Sequence, residues 1–290
     1  MAMTLVVMAA GRGSRFGGMK QVAGLGPSGE SLFDYAVYDA VRNGFEDVVF
    51  VVSEESAGAV EDHVDRGCGR HVEVRYALQK VDGNRSKPWG TGHAVLTACG
   101  ALEGRPFGVV NADDFYGQRS YEILGRELSG DHDDHVLVAF RLRESLSPNG
   151  GVSRGVCGVE DGYLTSVTEL HEIEARDGNV HCREDVALTG DELISANLWG
   201  FQASFCGTLD QQFDDFRAEH EDDSDAEFLI GDAVMAAAEG GESKVRVVPT
   251  PERFLGVTYK EDVASVQAEL AELVAAGRYP SPLWPLTEPQ

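Results

Sequence analysis

Positive charge is what this 290-residue sequence has least of: 24 Lys and Arg stand against 49 Asp and Glu, a formal charge of −25. That balance excludes nucleic acid and anionic membrane surfaces as partners. Lysine is scarcest, occurring only at 20, 80, 87, 244 and 260. No apolar run approaches the ~18 residues a membrane helix needs. The start shows neither a basic stretch nor a small-residue cleavage site, so no signal peptide is expected and a cytoplasmic protein is. The five cysteines (68, 99, 157, 182 and 206) contain no C-x-x-C pair, which excludes a zinc frame. Their odd number and scatter lead us to expect free, mostly buried thiols without disulfides. No Ser-His-Asp, Cys-His or paired-carboxylate arrangement is legible. A lysine-poor, acid-rich surface is what a high-salt cytoplasm favours, so a halophilic source is expected.

The few cations are concentrated. Residues 4–10 form a short apolar run rich in β-branched side chains, the pattern of a buried parallel strand. It leads into glycines at 11, 13, 17 and 18, interleaved with Arg12, Arg15 and Lys20. Glycine lets the backbone bring its N–H groups close to a bulky anion, and the basic side chains supply countercharge. This is the chemistry of a triphosphate cradle. It is not a Walker A loop, because Gln21 follows Lys20 where Ser or Thr is required. Nor is it a dinucleotide fingerprint, because Phe16 occupies the third glycine position.

Downstream, a helix opening at Ser31 with a capping-box start, a strand at 47–52, a helix at 54–64 and a strand at 72–78 alternate regularly. Such alternation predicts an α/β fold with a mostly parallel sheet flanked by helices. Residues 79–94 then carry Gln79, three cations and Trp89 from a strand end into a helix. Strand 107–110 ends in Asn111-Ala112-Asp113-Asp114. Carboxylates beyond a strand's C-terminal end, opposite a phosphate loop, are placed to hold Mg²⁺, which takes only one or two protein oxygens beside phosphates and water. Asp113 is the expected ligand. After a strand at 134–142 and a turn-rich joint at 145–151, the texture changes to short strands over 152–181 and 194–201. A single domain is expected, with a nucleotide core at 1–147 and a smaller β-rich acceptor lobe with the last helices at 148–290. Residues 219–227 read as a solvated acidic loop. Helical patterns follow at 228–238 and 261–276.

The stretch from Ala9 to Arg15, followed by Lys20, resembles the signature Ala-Ala-Gly-x-Gly-Ser/Thr-Arg…Lys of the nucleotidyltransferases that include the sugar-1-phosphate pyrophosphorylases. The resemblance implies a Rossmann-like fold in which Ala10, Gly11, Gly13 and Ser14 bind nucleotide. It also implies that Gln79, Gly90 and Thr91 hold the base and ribose, and it maps the first acid of a Gly-Asp-Asp/Asn motif onto Asp113. Arg154, Gly155, Glu169 and Asn197 fall where such enzymes contact the sugar. Three departures stand out. The compact Arg-Phe-Gly-Gly-x-Lys is closer to the molybdopterin guanylyl- and cytidylyltransferase branches. The acceptor-binding Glu-Lys-Pro is Glu169-Leu170-His171, with His171 the candidate replacement. The segment around residues 254–258 lacks a second Mg²⁺-binding Asp.

The expected reaction needs no side-chain nucleophile, because a sugar-1-phosphate can attack the α-phosphate of a nucleoside triphosphate itself. Arg15 and the backbone of residues 11–14 are assigned to the β- and γ-phosphates, and Lys20 to the α-phosphate and the incoming phosphate. Two alternatives stay open: transfer to a non-sugar acceptor such as molybdopterin or an alcohol phosphate, and a catalytically weakened nucleotide-sugar-binding protein. The oligomeric state, homo-oligomer included, stays open as well.

Overall fold

The structure is a computed structural model that describes residues 2–11, 19–81, 83, 85–241 and 243–284. Strand β1 (Met3–Met8) sends fully buried Leu5 and Val7 to one side of a sheet and Val6 to the other, the mark of a strand covered on both faces. Helix α1 (Leu32–Arg42) follows, and the Asp34 carboxylate accepts the Ser31 N–H at 2.8 Å, one half of the expected capping box. Next come β2 (Phe45–Val52), α2 (Ala57–Arg66), β3 (Glu73–Leu78), α3 (Thr91–Cys99) and β4 (Phe107–Asn111). The two-residue strand β5 (Asp114–Phe115), α4 (Gln118–Leu128) and β6 (His135–Arg141) complete the first half.

The second half opens with a long hairpin, β7 (Val152–Glu160) and β8 (Tyr163–Arg176), with β9 (Asn179–His181) paired to β8. Short strands β10 (Leu193–Ser195) and β11 (Trp199–Phe201) precede α5 (Phe205–Glu219) and α6 (Ile230–Glu239). The chain ends with β12 (Val245–Pro249), β13 (Leu255–Gly256) and α7 (Asp262–Ala275). Among the described residues eleven strands form one sheet, ordered β10-β7-β8-β12-β6-β11-β4-β1-β2-β3, with β9 at the side of β8. Pairing is parallel across β4-β1-β2-β3 and between β6 and β12, and β11 is inserted antiparallel between β4 and β6. The β-rich second half is thus an extension of the central sheet, joined through β6 by both β10 and β12.

Two helical layers cover the sheet. Phe33 and Val37 of α1, Val60 and Val64 of α2 and Leu124 and Leu128 of α4 pack on one face. Val95 and Ala98 of α3, Leu209 and Phe213 of α5 and Val234 and Ala237 of α6 pack on the other. A third apolar cluster joins α7, through Val266 and Leu270, to Tyr35 of α1 and to the β5–β13 ribbon. One expectation is overturned: Cys99 and Cys206 form a disulfide, leaving Cys68, Cys157 and Cys182 free. The partners lie 107 residues apart, yet the last turn of α3 and the first of α5 are neighbours in one layer, with the Cα atoms 5.8 Å apart. Sequence scatter carried no trace of that proximity.

Candidate active site

The sheet order sets the location. From β1 the chain moves outward to β2 and β3, then returns through α3 to β4 on the other side of β1. A topological switch point therefore lies between β1 and β4, and in open α/β sheets ligands bind beyond the carboxyl ends of the strands there. A cleft of about 650 Å³ opens at that place. The residues after three strand ends wall it: Ala10 and Gly11 after β1, Gln79 after β3, and Asn111 and Asp113 at β4.

At the end of the cleft beside β1 and β4, Lys20 begins a 3₁₀ turn (Lys20–Val22) and lines the wall. Its Nζ donates to Asp113 Oδ2 at 2.6 Å, linking the end of the glycine loop to the end of β4. Buried Gln21 donates through Nε2 to the Gly11 carbonyl, closing the base of the loop. Gly13, Ser14 and Arg15, assigned to the phosphates from sequence, lie outside the described residues.

The opposite end of the cleft is built on α3. Gln79 is 4% exposed, and its Nε2 donates to the Gly90 carbonyl at 3.0 Å. Gly90 has φ +107°, and a Cβ there would lie 2.8 Å from the Phe228 carbonyl oxygen, so only glycine fits. Thr91 Oγ accepts the Ile230 N–H at 3.0 Å, and the Gly92 N–H donates to Phe228 O at 2.8 Å. Residues 223–230 are thereby laid along the cleft. Arg85 fastens them from the other side, donating to the carbonyls of Asp223 and Ala226 while its guanidinium lies 3.5 Å from the Trp89 ring centroid. A Lys87–Glu227 ion pair at 2.9 Å adds to the strap. The acidic run 219–227 is largely exposed, as expected of a solvated loop, but its last residue Glu227, with Leu229 beyond it, also lines the cleft. Only the hydrogen bonds to α3 and the loop before it reveal this.

The two adjacent acids separate in environment. Asp113 faces the cleft and Lys20. Asp114 accepts from Asn111 Nδ2 at 2.8 Å, and burial together with the charge of Asp113 pushes its carboxyl well above the usual range. Gly256 of β13 stands in register with Asp114, and a Cβ there would come within 2.9 Å of Asp114 Oδ1. No third carboxylate can enter from that segment, and no cluster of three or more His, Cys, Asp or Glu suited to a metal occurs among the described residues. The donor set still fits Mg²⁺ as a site of one or two carboxylates completed by phosphate and water oxygens. Asp113, the acid of the two that lines the cleft, supports that fit.

Arg154, Gly155, Glu169 and Asn197 are not among the described residues that wall the main cleft. Arg154 lines a second cavity of about 200 Å³ behind β13, donating to the Ser145 carbonyl at 2.6 Å and the Ser153 carbonyl at 2.8 Å. Its guanidinium lies 5.0 Å from the Phe254 ring centroid. Gly155 and Glu169 are cross-strand partners on β7 and β8, and burial raises the Glu169 carboxyl. Asn197 sits at φ +60° and accepts the Trp199 indole N–H at 3.3 Å. His171, the candidate replacement for the missing lysine, is paired with Glu184 at 2.8 Å. Sequence reasoning did not anticipate that Thr258, Tyr259 and Lys260 close the cleft from the side of β13.

The class is defined by sequence: the chain belongs to the nucleotidyl transferase family, whose model matches residues 4–172 and so spans the strands that wall this cleft. The resemblance read from the sequence is borne out. Among characterised relatives, the UTP–glucose-1-phosphate uridylyltransferase YngB of Bacillus subtilis is 21% identical over 189 residues, 57% of this chain and 59% of that protein. The alignment thus spans under two thirds of the relative's length. Among solved structures, a Bacillus anthracis protein assigned as a glucose-1-phosphate thymidylyltransferase, in complex with a sucrose, superposes with a TM-score of 0.66 at 13% identity. The match covers 93% of this chain and 95% of that one. The inositol-1-phosphate CTP transferase from T. maritima gives 0.64 at 15% identity, covering 93% and 96%. At these identities the structural likeness carries the fold, a mixed sheet with a parallel β4-β1-β2-β3 portion between helical layers.

Proposed function

We propose that the protein transfers a nucleoside monophosphate from a nucleoside triphosphate to a sugar-1-phosphate, releasing pyrophosphate. The observation that carries this reading is the Lys20–Asp113 pair at the switch-point cleft, with Gln79, Gly90 and Thr91 at its far end. The acceptor's phosphate oxygen attacks the α-phosphorus, and the bond from that phosphorus to the β-phosphate bridge oxygen breaks. Pyrophosphate carries away the electron pair. Catalysis then rests on positioning and charge neutralisation, so no protein nucleophile is required. Lys20 is assigned to the α-phosphate and the incoming phosphate, and Arg15 with the backbone of residues 11–14 to the β- and γ-phosphates. Asp113, with phosphate and water oxygens, would hold Mg²⁺, which supplies charge neutralisation on the phosphates. The core over residues 1–147 is assigned to the nucleotide and residues 148–290 to the acceptor.

A second reading, transfer to an alcohol phosphate, is favoured by the compact loop between Arg15 and Lys20 and by the likeness to the inositol-1-phosphate enzyme's fold. The deciding experiment is pyrophosphate release with Mg²⁺, at low and molar salt. Each common nucleoside triphosphate is paired with hexose-1-phosphates and with inositol- and choline-type phosphates. Release with a hexose-1-phosphate is expected and names both substrates. Release only with another acceptor establishes the second reading. Silence throughout, with tight nucleotide-sugar binding by calorimetry, makes the chain a binding protein.

A further inference from the structure

Resting on the nucleotidyl-transfer reading above, we infer that Lys260 is a second cation on the phosphate of the acceptor, beside Lys20. A phosphate monoester brings close to two negative charges into the cleft of a protein whose formal charge is −25. It needs a dedicated cation. Position 170, inside the Glu169-Leu170-His171 stretch, cannot serve, because Leu170 is 4% exposed and belongs to the apolar core. His171 cannot serve either, being held by Glu184 through both its ring and its backbone N–H. Of the other lysines that line the cleft, Lys20 already serves the α-phosphate and shares its charge with Asp113, and Lys87 is paired with Glu227. Lys260 lines the same cleft and has no ion-pair partner among the described residues.

Its backbone is held in place. Asp262 Oδ2 accepts the N–H groups of Thr258 at 2.9 Å and Tyr259 at 2.7 Å. The other oxygen of Asp262 accepts from Ser147 and Asn149, and the Tyr259 hydroxyl donates to the Gly151 carbonyl at 2.6 Å. The 258–260 turn is thus fixed to the 147–151 joint, where the second half of the chain begins. Thr258 lies in the wall between the main cleft and the cavity that holds Arg154. Lys260 therefore approaches from the acceptor half, facing a phosphate end whose own lysine comes from residue 20. The fixed backbone confines the flexible lysine stem to the reach of this cleft, which lowers the cost of bringing its charge to an anion there.

The test is initial-rate kinetics of pyrophosphate release for wild type, Lys260→Ala and Lys260→Arg, varying acceptor and nucleoside triphosphate separately. Loss of a charge-assisted hydrogen bond should raise the acceptor KM of Lys260→Ala roughly tenfold to a hundredfold. The triphosphate KM should hold within about twofold, and Lys260→Arg should recover part of the loss. Lys260 is exposed, so the thermal midpoint of the variant should match wild type. An active wild type whose Lys260→Ala variant keeps its acceptor KM, or shifts only its triphosphate KM, overturns the assignment and leaves nucleotidyl transfer standing. A wild type that releases no pyrophosphate with any acceptor phosphate overturns both.

Discussion

A side chain's place in the cleft can be weighed by what it gives up elsewhere. Lys20 and Asp113 have side chains only 19% and 33% exposed, yet their one ion-pair partner among the described residues is each other. An ion pair of that exposure contributes about 0–1 kcal/mol to stability, too little to explain locating two charges at the convergence of the glycine loop and β4. Under the proposed function, their value lies in what they present to an anion. Lys20→Ala should therefore lower kcat/KM by ~10²–10³, the range for removing one preorganised donor, with little change in thermal midpoint. Pyrophosphate-release kinetics beside a melting curve checks both, and unchanged turnover would remove Lys20 from the mechanism. Lys20 and Asp113 were legible as cleft residues because each lies beyond an apolar strand or in the loop that leaves it, and strand ends are where α/β sheets bind ligands, whereas Gln79 came from the family resemblance. Glu227 and Lys260 follow no such landmark. Their place depends on which distant segment the chain folds against.

The same distinction holds for whole elements. Helices and strands through β4 were legible because most bury an apolar period of their own, as Phe33 and Val37 do for α1, whereas the two-residue β5 was not. The short β12 escaped notice, since five residues ending in Pro249 become a strand only by pairing with β6. Helix α5 escaped although Phe205, Leu209 and Phe213 recur every fourth residue, and with it went the Cys99–Cys206 bond. At the far end of α3 from that bond, the helix start depends on residues 226–230, and Gly90 is where the two segments meet. Gly90→Ala puts a side chain at φ +107° and within 2.8 Å of the Phe228 carbonyl. Strain of that kind costs about 1–3 kcal/mol. We expect a lower urea midpoint at unchanged slope, and a raised triphosphate KM because Gln79 loses its fixed partner at residue 90. A Gly90→Ala variant with wild-type stability and KM would mean that the strap does not hold the nucleotide end.

For the molecule as a whole, charge is the dominant property: 49 acidic side chains against 24 basic ones must share one surface. The pairs that exist are mostly arginine-based and exposed, such as Arg119–Glu122, Arg126–Glu127 and Arg183–Glu172. Each contributes little to stability and weakens in salt. Repulsion among the excess acids weakens in salt too, and it acts over the whole surface, since the Debye length falls from about 30 Å at 0.01 M to about 3 Å at 1 M. With an excess of 25 negative charges, the repulsive part is the larger, so screening should stabilise the fold. The expected result is a urea unfolding midpoint that rises from 0.01 M to 1 M KCl, most steeply in the first few tenths molar, where screening changes most. KCl suits the comparison because sulfate would also strengthen apolar burial and confuse the cause. A midpoint that stays level or falls would show that the exposed arginine pairs outweigh the repulsion, and would remove the physical basis for a halophilic source.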